Sequence, residues 1–350
     1  MTFLRNAWYC AGWAEDLGQE DLTPRTILNE PVLLYRREDG AAVAIGNRCP
    51  HRFAPLHLGC KKGGSVACPY HGLEFDSSGS CVHNPHGDGT IPKAAKVPSY
   101  PLVERYDALW IWMGDAESAN PDLIPDFSET AKRESWGQVR GHLEVPVHYE
   151  LLTDNLMDLS HVPYIHPFLS VKGPLPEGFR EERSLQQEGD AIWSMHRNLN
   201  TRITPLYKML WDEAPEIIEG YFDMRWTAPS NLLLNVGVAP MDGPREDGVW
   251  TPMAHLLTPA TETSTHYFWN HARDRRVGIP EFDASLRDAL QNTFRNEDEA
   301  MLVNCASLMG TSDLMSLKPL LLPGDAPAVR ARRVLAERIA AERNADVNVS

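Results

Sequence analysis

Apolar positions in the first third of the chain come in short runs that break at turn-formers. Val32-Leu33-Leu34-Tyr35 and Ala42-Val43-Ala44-Ile45 flank Glu38-Asp39-Gly40, and Leu109-Trp110-Ile111-Trp112 is a further run. The pattern predicts an all-β unit of short strands. From Gly114 to Phe127 the character changes: Asn120-Pro121 and Ile124-Pro125-Asp126 interrupt any period, as a connector would. A boundary near residue 130 follows, giving domains 1–130 and 131–350.

Beyond it the period lengthens. Glu150 to Ser160 reads as a helix, and strand-like runs follow at Ala191–His196, Leu232–Ala239, Met253–Leu257 and Thr265–Trp269. Asp283 to Leu308 sets Leu286, Leu290, Phe294, Met301 and Leu302 among charges, the spacing of an amphipathic helix laid on a sheet. Leu320–Pro327 reads as a loop and Val329–Arg343 as a charged, solvent-facing helix. No internal repeat or low-complexity tract interrupts the chain. The fold class is α+β.

Composition narrows the setting. With 350 residues, 43% of them hydrophobic, the chain can bury two ordinary cores. A formal charge of -15 disfavours a phosphate backbone, so nucleic acid is not an expected partner. No window approaches the roughly 20 apolar residues of a membrane span, and Met1–Trp13 lacks a leader pattern. Six cysteines without a secretory framework point to a reducing, cytoplasmic setting, with Cys10, Cys60, Cys81 and Cys305 as buried thiols.

Two motifs carry the chemistry. Cys49-Pro50-His51 and Cys68-Pro69-Tyr70-His71 each offer one sulfur and one imidazole, the donor set of a Rieske [2Fe–2S] cluster, in which two thiolates hold one iron and two imidazoles the other. Gly59 and Gly72 stand nearby to permit turns that other residues resist. A structural Cys2His2 zinc site shares these donors and is the competing reading; colour separates the two.

The second motif runs from Asp154 to His166. On a helix Asp154, Asp158 and His161 share one face, and Pro163 predicts a helix end near His161 that lets His166 swing back. Two imidazoles and one carboxylate are the donors of oxygen-activating non-haem Fe(II) sites. A carboxylate from the late Glu297-Asp298-Glu299, or one nearer in sequence, completes the set. Read alone, two histidines beside aspartates also suit a capped helix end. A cluster upstream on the same chain favours the metal, because its electrons need a destination.

These residues, with Arg5-Asn6-Ala7-Trp8-Tyr9, Asp154-Asn155-Leu156-Met157-Asp158-Leu159 and Asn296-Glu297-Asp298, resemble the oxygenase components of Rieske non-haem iron oxygenases, in the vanillate and dicamba O-demethylase branch. The resemblance implies an antiparallel Rieske domain, then a helix-grip (START-like) catalytic domain with a large antiparallel sheet, in a homotrimer. It implies Cys49, His51, Cys68 and His71 as cluster ligands, and His161, His166 and Asp298 as ligands of a mononuclear Fe(II). Asn155 would sit beside that iron. Asp158 would bridge it to His71 of a neighbouring subunit, carrying electrons delivered by a separate reductase or ferredoxin.

The respiratory Rieske disulfide is missing, since Ala54 and Tyr70 stand in the places of its cysteines. His255 matches a histidine that contacts a substrate carboxylate, and Asn231 and Asn235 are expected to line the same pocket, with Trp211, Trp226 and Trp269 available as aromatic walls. Ala289 stands where the dicamba-like pattern has a tryptophan, which argues against dicamba itself. The expected reaction is O2-dependent O-demethylation of a methoxybenzoate such as vanillate. Hydroxylation of another aromatic acid, a methyl-arene sulfonate or a chlorinated or hydroxylated benzoate, is the alternative.

Overall fold

Each short apolar run of the first half is a strand, and no strand there is long enough to bury a face alone. The fold was obtained as a computed structural model and is described for residues 2–131 and 134–349. Two compact units emerge: Met1–Ile124 with Thr258–Glu262, and Pro125–Leu257 with Thr263–Ser350. The return of Thr258–Glu262 to the first unit is not visible in any composition shift.

The first unit holds β1 (Trp8–Trp13), β2 (Thr23–Ile27), β3 (Glu30–Arg36), β4 (Ala42–Gly46), β5 (Cys60–Lys62), β6 (Ser65–Ala67), β7 (Glu74–Phe75), β8 (Cys81–His83), β9 (Ser99–Tyr100), β10 (Leu102–Arg105) and β11 (Ala108–Trp112). They form three antiparallel sheets ordered β1-β11-β10, β2-β3-β4-β9 and β5-β6-β7-β8. The three apolar runs fall in β3, β4 and β11. Leu33, Tyr35, Ile45, Leu56, Val66 and Phe75 make a core that also takes in Cys49 and Cys68, so hydrophobic burial holds the loops that carry those thiols.

In the second unit β12 (Gly137–Val145), β13 (Arg180–Glu188), β14 (Ala191–Arg202), β15 (Ile217–Thr227), β16 (Asn231–Pro240), β17 (Val249–Trp250), β18 (Met253–Thr261) and β19 (Ser264–Arg273) build one sheet. Its order is β12-β19-β18-β16-β15-β14-β13, with β17 beside β16. Strand β13 escaped the sequence reading for a physical reason. It is an exposed edge whose charged side chains leave no apolar period, a common guard against edge pairing.

Among the described residues six α-helices accompany the sheet: α1 (Tyr149–Met157), α2 (Val162–Ile165), α3 (Pro205–Leu210), α4 (Pro280–Asn292), α5 (Ala300–Met309) and α6 (Ala326–Val349). Helix α1 packs on β15, α4 on β12 and α6 on β14. Three expectations need correction. The span 283–308 is not one regular helix, because Thr293–Glu299 between α4 and α5 is a π-helical turn. Helix α6 is not merely solvent-facing: Ala328, Ala331, Val334 and Leu335 are buried, and Arg332 reaches Asp154 at 2.7 Å and Glu150 at 2.5 Å. Cys60 and Cys305 are exposed, whereas Cys10 and Cys81 are buried. Among the described residues no helix is long and apolar enough to cross a membrane.

Candidate metal centres

The loops bearing the two cysteine-histidine pairs are built alike. In one, Cys49 N–H donates to the Ala54 carbonyl and Phe53 N–H to the Cys49 carbonyl; in the other, Cys68 N–H donates to Leu73 and Gly72 N–H to Cys68. Both loops therefore close over the same number of residues, and both place their fifth residue in the left-handed region, Phe53 at φ 58° and Gly72 at φ 72°. Gly72 supplies the turn expected of it. Gly59 acts differently: its φ is ordinary, but a Cβ there would lie 2.0 Å from the Ala67 carbonyl oxygen, so close backbone approach requires it.

Between the loops the donors face one another. The thiols of Cys49 and Cys68 are mutual neighbours, and burial above all pushes the Cys49 thiol up. Such a thiol ionises readily only against a bound cation. The rings of His51 and His71 stand 4.4 Å apart at the solvent side, with Phe53 and Tyr70 exposed around them. Two sheltered sulfurs below two outward imidazoles fit a [2Fe–2S] cluster of the mixed-ligand type.

The second centre starts at a break in the chain. Helix α1 ends at Met157 because Asp158 turns extended (φ -121°, ψ 96°), and its carboxylate caps the next short turn by accepting from Ser160 N–H at 3.0 Å. The bend thus comes at Asp158 rather than at Pro163, which instead opens α2, where a missing N–H does no harm. Asp154 leaves the proposed common face altogether and pairs with Arg332. Burial lifts the carboxyls of Glu150 and Asp154 above their ordinary range despite that guanidinium.

After the break His161 and His166 stand 5.1 Å apart with rings at 79°. The Nδ1–H of His161 donates to the Asp158 carbonyl at 2.8 Å, and the Nδ1–H of His166 donates to Glu297 at 2.7 Å. Both rings are thereby left to present Nε2. These nitrogens lie 3.5 and 3.2 Å from Asp298 Oδ1, and the three donor atoms form one cluster within 4.8 Å. The π-helical turn carries both Glu297 and Asp298 to this point. Asp298 is the carboxylate that joins the imidazoles, Glu297 orients one of them, and Glu299 takes no part.

Charge within the centre is uneven. Burial lowers the pKa of His161, partly countered by Asp298; burial also opposes charge on His166, but Asp298 and Glu297 outweigh it and raise that pKa. Asn155 donates from Nδ2 to Asp298 Oδ1 at 3.1 Å and so holds the carboxylate in place. Two imidazoles and a carboxylate are donors that fit a mononuclear non-haem iron.

Not every expected residue gathers here. The Asp158 carboxylate binds Ser160 and lies 3.5 Å from Arg183, and only its main-chain carbonyl meets His161. His255 is buried, 2.6 Å from the Tyr267 hydroxyl through Nδ1, and its Nε2 has no partner among the described residues. Burial drives its pKa down to about 4, so the ring is neutral. Asn231 and Asn235 do not join it. Cross-strand partners share a face, and His255 is paired with Leu232 while Asn231 is paired with Leu256, so both asparagines project from the other side of the sheet. There Asn235 accepts from Trp250 at 3.2 Å. Of the three candidate wall residues, Trp226 and Trp269 are buried. The sequence reading missed Tyr267, although Tyr267, Trp269 and His271 at every second position signal one strand face.

Comparison with known proteins agrees with both centres. Residues 7–101 match the Rieske [2Fe-2S] domain, and residues 145–341 match the vanillate O-demethylase oxygenase C-terminal domain. The dicamba O-demethylase oxygenase component of Stenotrophomonas maltophilia is 38% identical over 95% of this chain and 97% of its own. The vanillate O-demethylase oxygenase subunit of Pseudomonas sp. (strain HR199 / DSM 7063) is 31% identical over 98% of this chain and 97% of its own. The crystal structure of dicamba monooxygenase with non-heme iron and dicamba superposes with a TM-score of 0.84 at 35% identity, covering 98% of this chain and 99% of that one.

Proposed function

Because the chain belongs to the Rieske non-haem iron oxygenases, as an oxygenase component of the O-demethylase type, we propose that it O-demethylates a methoxylated aromatic acid, vanillate being the first candidate. The observation that carries this reading is the convergence of His161, His166 and Asp298, each imidazole held by its second nitrogen and the carboxylate held by Asn155. Bound there, the iron supplies O2 activation with electrons that the cluster receives from a separate reductase or ferredoxin.

The protein's own residues position the reactants. His255 presents an unpartnered Nε2 on the sheet face that Phe294 covers, and we assign it the substrate carboxylate. Insertion of one oxygen atom into a methoxy C–H gives a hemiacetal, which collapses to formaldehyde and a phenol; the second oxygen atom leaves as water with two electrons and two protons. Asp158 is proposed to meet a cluster imidazole, His71, of a second copy in a homotrimer. A reducing, cytoplasmic setting belongs to the same proposal and rests on cysteine usage.

Relatives named for both dicamba and vanillate demethylation match this chain, which favours an ether substrate over ring hydroxylation. The test is a panel of methoxybenzoates with a surrogate reductase, scored for formaldehyde and oxygen uptake. Stoichiometric formaldehyde supports the reading. Ring-hydroxylated product without formaldehyde overturns it.

A further inference from the structure

Strand β19 sends Tyr267, Trp269, His271 and Arg273 to one face, opposite Leu143, Gly141, Val139 and Gly137 of β12. Large polar-tipped side chains thus stand over small or aliphatic neighbours. A Cβ at Gly141 would come within 2.6 Å of the Trp269 indole, so the glycine makes room for that ring. Phe294 lies against His255, Tyr267 and Trp269 at ring distances of 6.0, 5.4 and 5.3 Å. It sits one turn before Asp298, and the row therefore starts beside the iron ligands and runs away from them.

Along this row polar atoms are buried without partners. Among the described residues the Trp269 indole N–H, His255 Nε2 and both ring nitrogens of His271 find no hydrogen-bond partner, though all three side chains are 0–2% exposed. Buried polar groups in folded proteins are almost always paired, and a run of exceptions on one face marks where something else binds. The far end is closed by Arg273, itself buried and ion-paired with Asp283 of α4. His271 lies next to that closure, about 13 Å along the strand from Tyr267. Burial and then Arg273 drive its pKa down to about 3, so it offers one N–H donor and one lone pair at any working pH.

We propose that His271 is a substrate-selecting residue, hydrogen-bonding a second polar substituent, such as a ring hydroxyl, on the aromatic acid whose reacting end lies at the iron ligands. The proposal rests on the aromatic-acid reading above and narrows it: the preferred substrate carries a hydrogen-bonding group besides its carboxylate and its ether.

The test uses holoenzyme and two probes, 3-hydroxy-5-methoxybenzoate, whose hydroxyl points away from the reacting methyl, and 3-methoxybenzoate, with binding followed by tryptophan fluorescence and turnover by oxygen uptake. Wild type is expected to favour the hydroxylated probe by about tenfold. In His271→Leu the ratio should fall to near one with iron content unchanged, and His271→Gln should recover part of it. An unchanged ratio in His271→Leu overturns the proposal. Should wild type bind neither probe, the aromatic-acid reading fails, and melting of the ligand-free proteins decides the role of His271. A His271→Leu melting temperature at or above wild type supports an imidazole whose partner comes from outside. A clear drop shows that the ring is bonded within the protein and overturns the proposal.

Discussion

Glu297 accepts the Nδ1–H of His166 at 2.7 Å while the next residue, Asp298, faces the other nitrogen of the same ring at 3.2 Å. Consecutive carboxylates thus bracket one imidazole, the first fixing its tautomer and the second facing the nitrogen proposed to bind the metal. Glu297→Gln keeps the shape and removes the charge. Iron affinity should fall about 10- to 100-fold, measured as iron retained against a chelator, with the cluster spectrum unchanged.

Asp158→Asn tests the link between centres. The amide keeps an oxygen that can still cap Ser160, so α1 and the following turn should fold and both metals should load. Formaldehyde formation should fall by at least an order of magnitude, a size expected when a positioning carboxylate next to a metal-bound imidazole is lost. Equal turnover in mutant and wild type would remove Asp158 from any relay.

Arg332 carries a stability prediction. It is the cation between Glu150 and Asp154, whose side chains are about one-fifth exposed. Arg332→Ala should destabilise by about 2–3 kcal/mol at neutral pH, the cost of a stranded buried charge discounted for partial solvation. The sign with pH follows from the raised carboxyl pKa values. Their favourable contribution is complete at low pH, where both are protonated, and is lost as pH rises through the folded values. Without the guanidinium those values climb further, so the deficit should widen from pH 4 to pH 8 in urea melts.

The cluster loops make a sharper demand. Gly59→Ala drives a methyl into the Ala67 carbonyl, rigid backbone rather than a yielding side chain, and should abolish the visible absorption of the cluster in purified protein. Gly64→Ala, with nothing within 4 Å of the added carbon, is the control and should retain full colour.

Acid should act through the buried histidines. With its pKa depressed from 6.5 to about 3, neutral His271 contributes stability that is whole above pH 6.5 and drains away as pH falls toward 3. His271→Leu should therefore lose less stability than wild type between pH 6.5 and pH 4. Denaturant melts at the two pH values measure the difference.

Much of this was legible before any coordinates. Donor types are local: C-x-H and C-x-x-H offer their sulfurs and imidazoles whatever surrounds them, and bringing His161 and His166 together needed only a bend between them. What stayed hidden depends on three-dimensional register. Asn231 and Asn235 looked like neighbours of His255, but a strand gives each face every second residue, and only the pairing with β18 tells which. Asp154 read as sharing a face with Asp158 and His161 because its partner Arg332 lies far along the chain on a helix that read as solvated. The β13 edge was invisible because its one large apolar side chain, Leu185, stands alone among charged and polar residues and sets up no period.

The π-helical turn at Thr293–Glu299 makes the position of Asp298 a matter of counting. Each residue of an α-helix advances the chain by about 100°, so deleting one residue of that turn ahead of Glu297 would rotate the acidic pair off the imidazoles while leaving every donor type in place. Homologues that differ there by a single residue should be sought among members that have abandoned iron chemistry, however intact their histidines look.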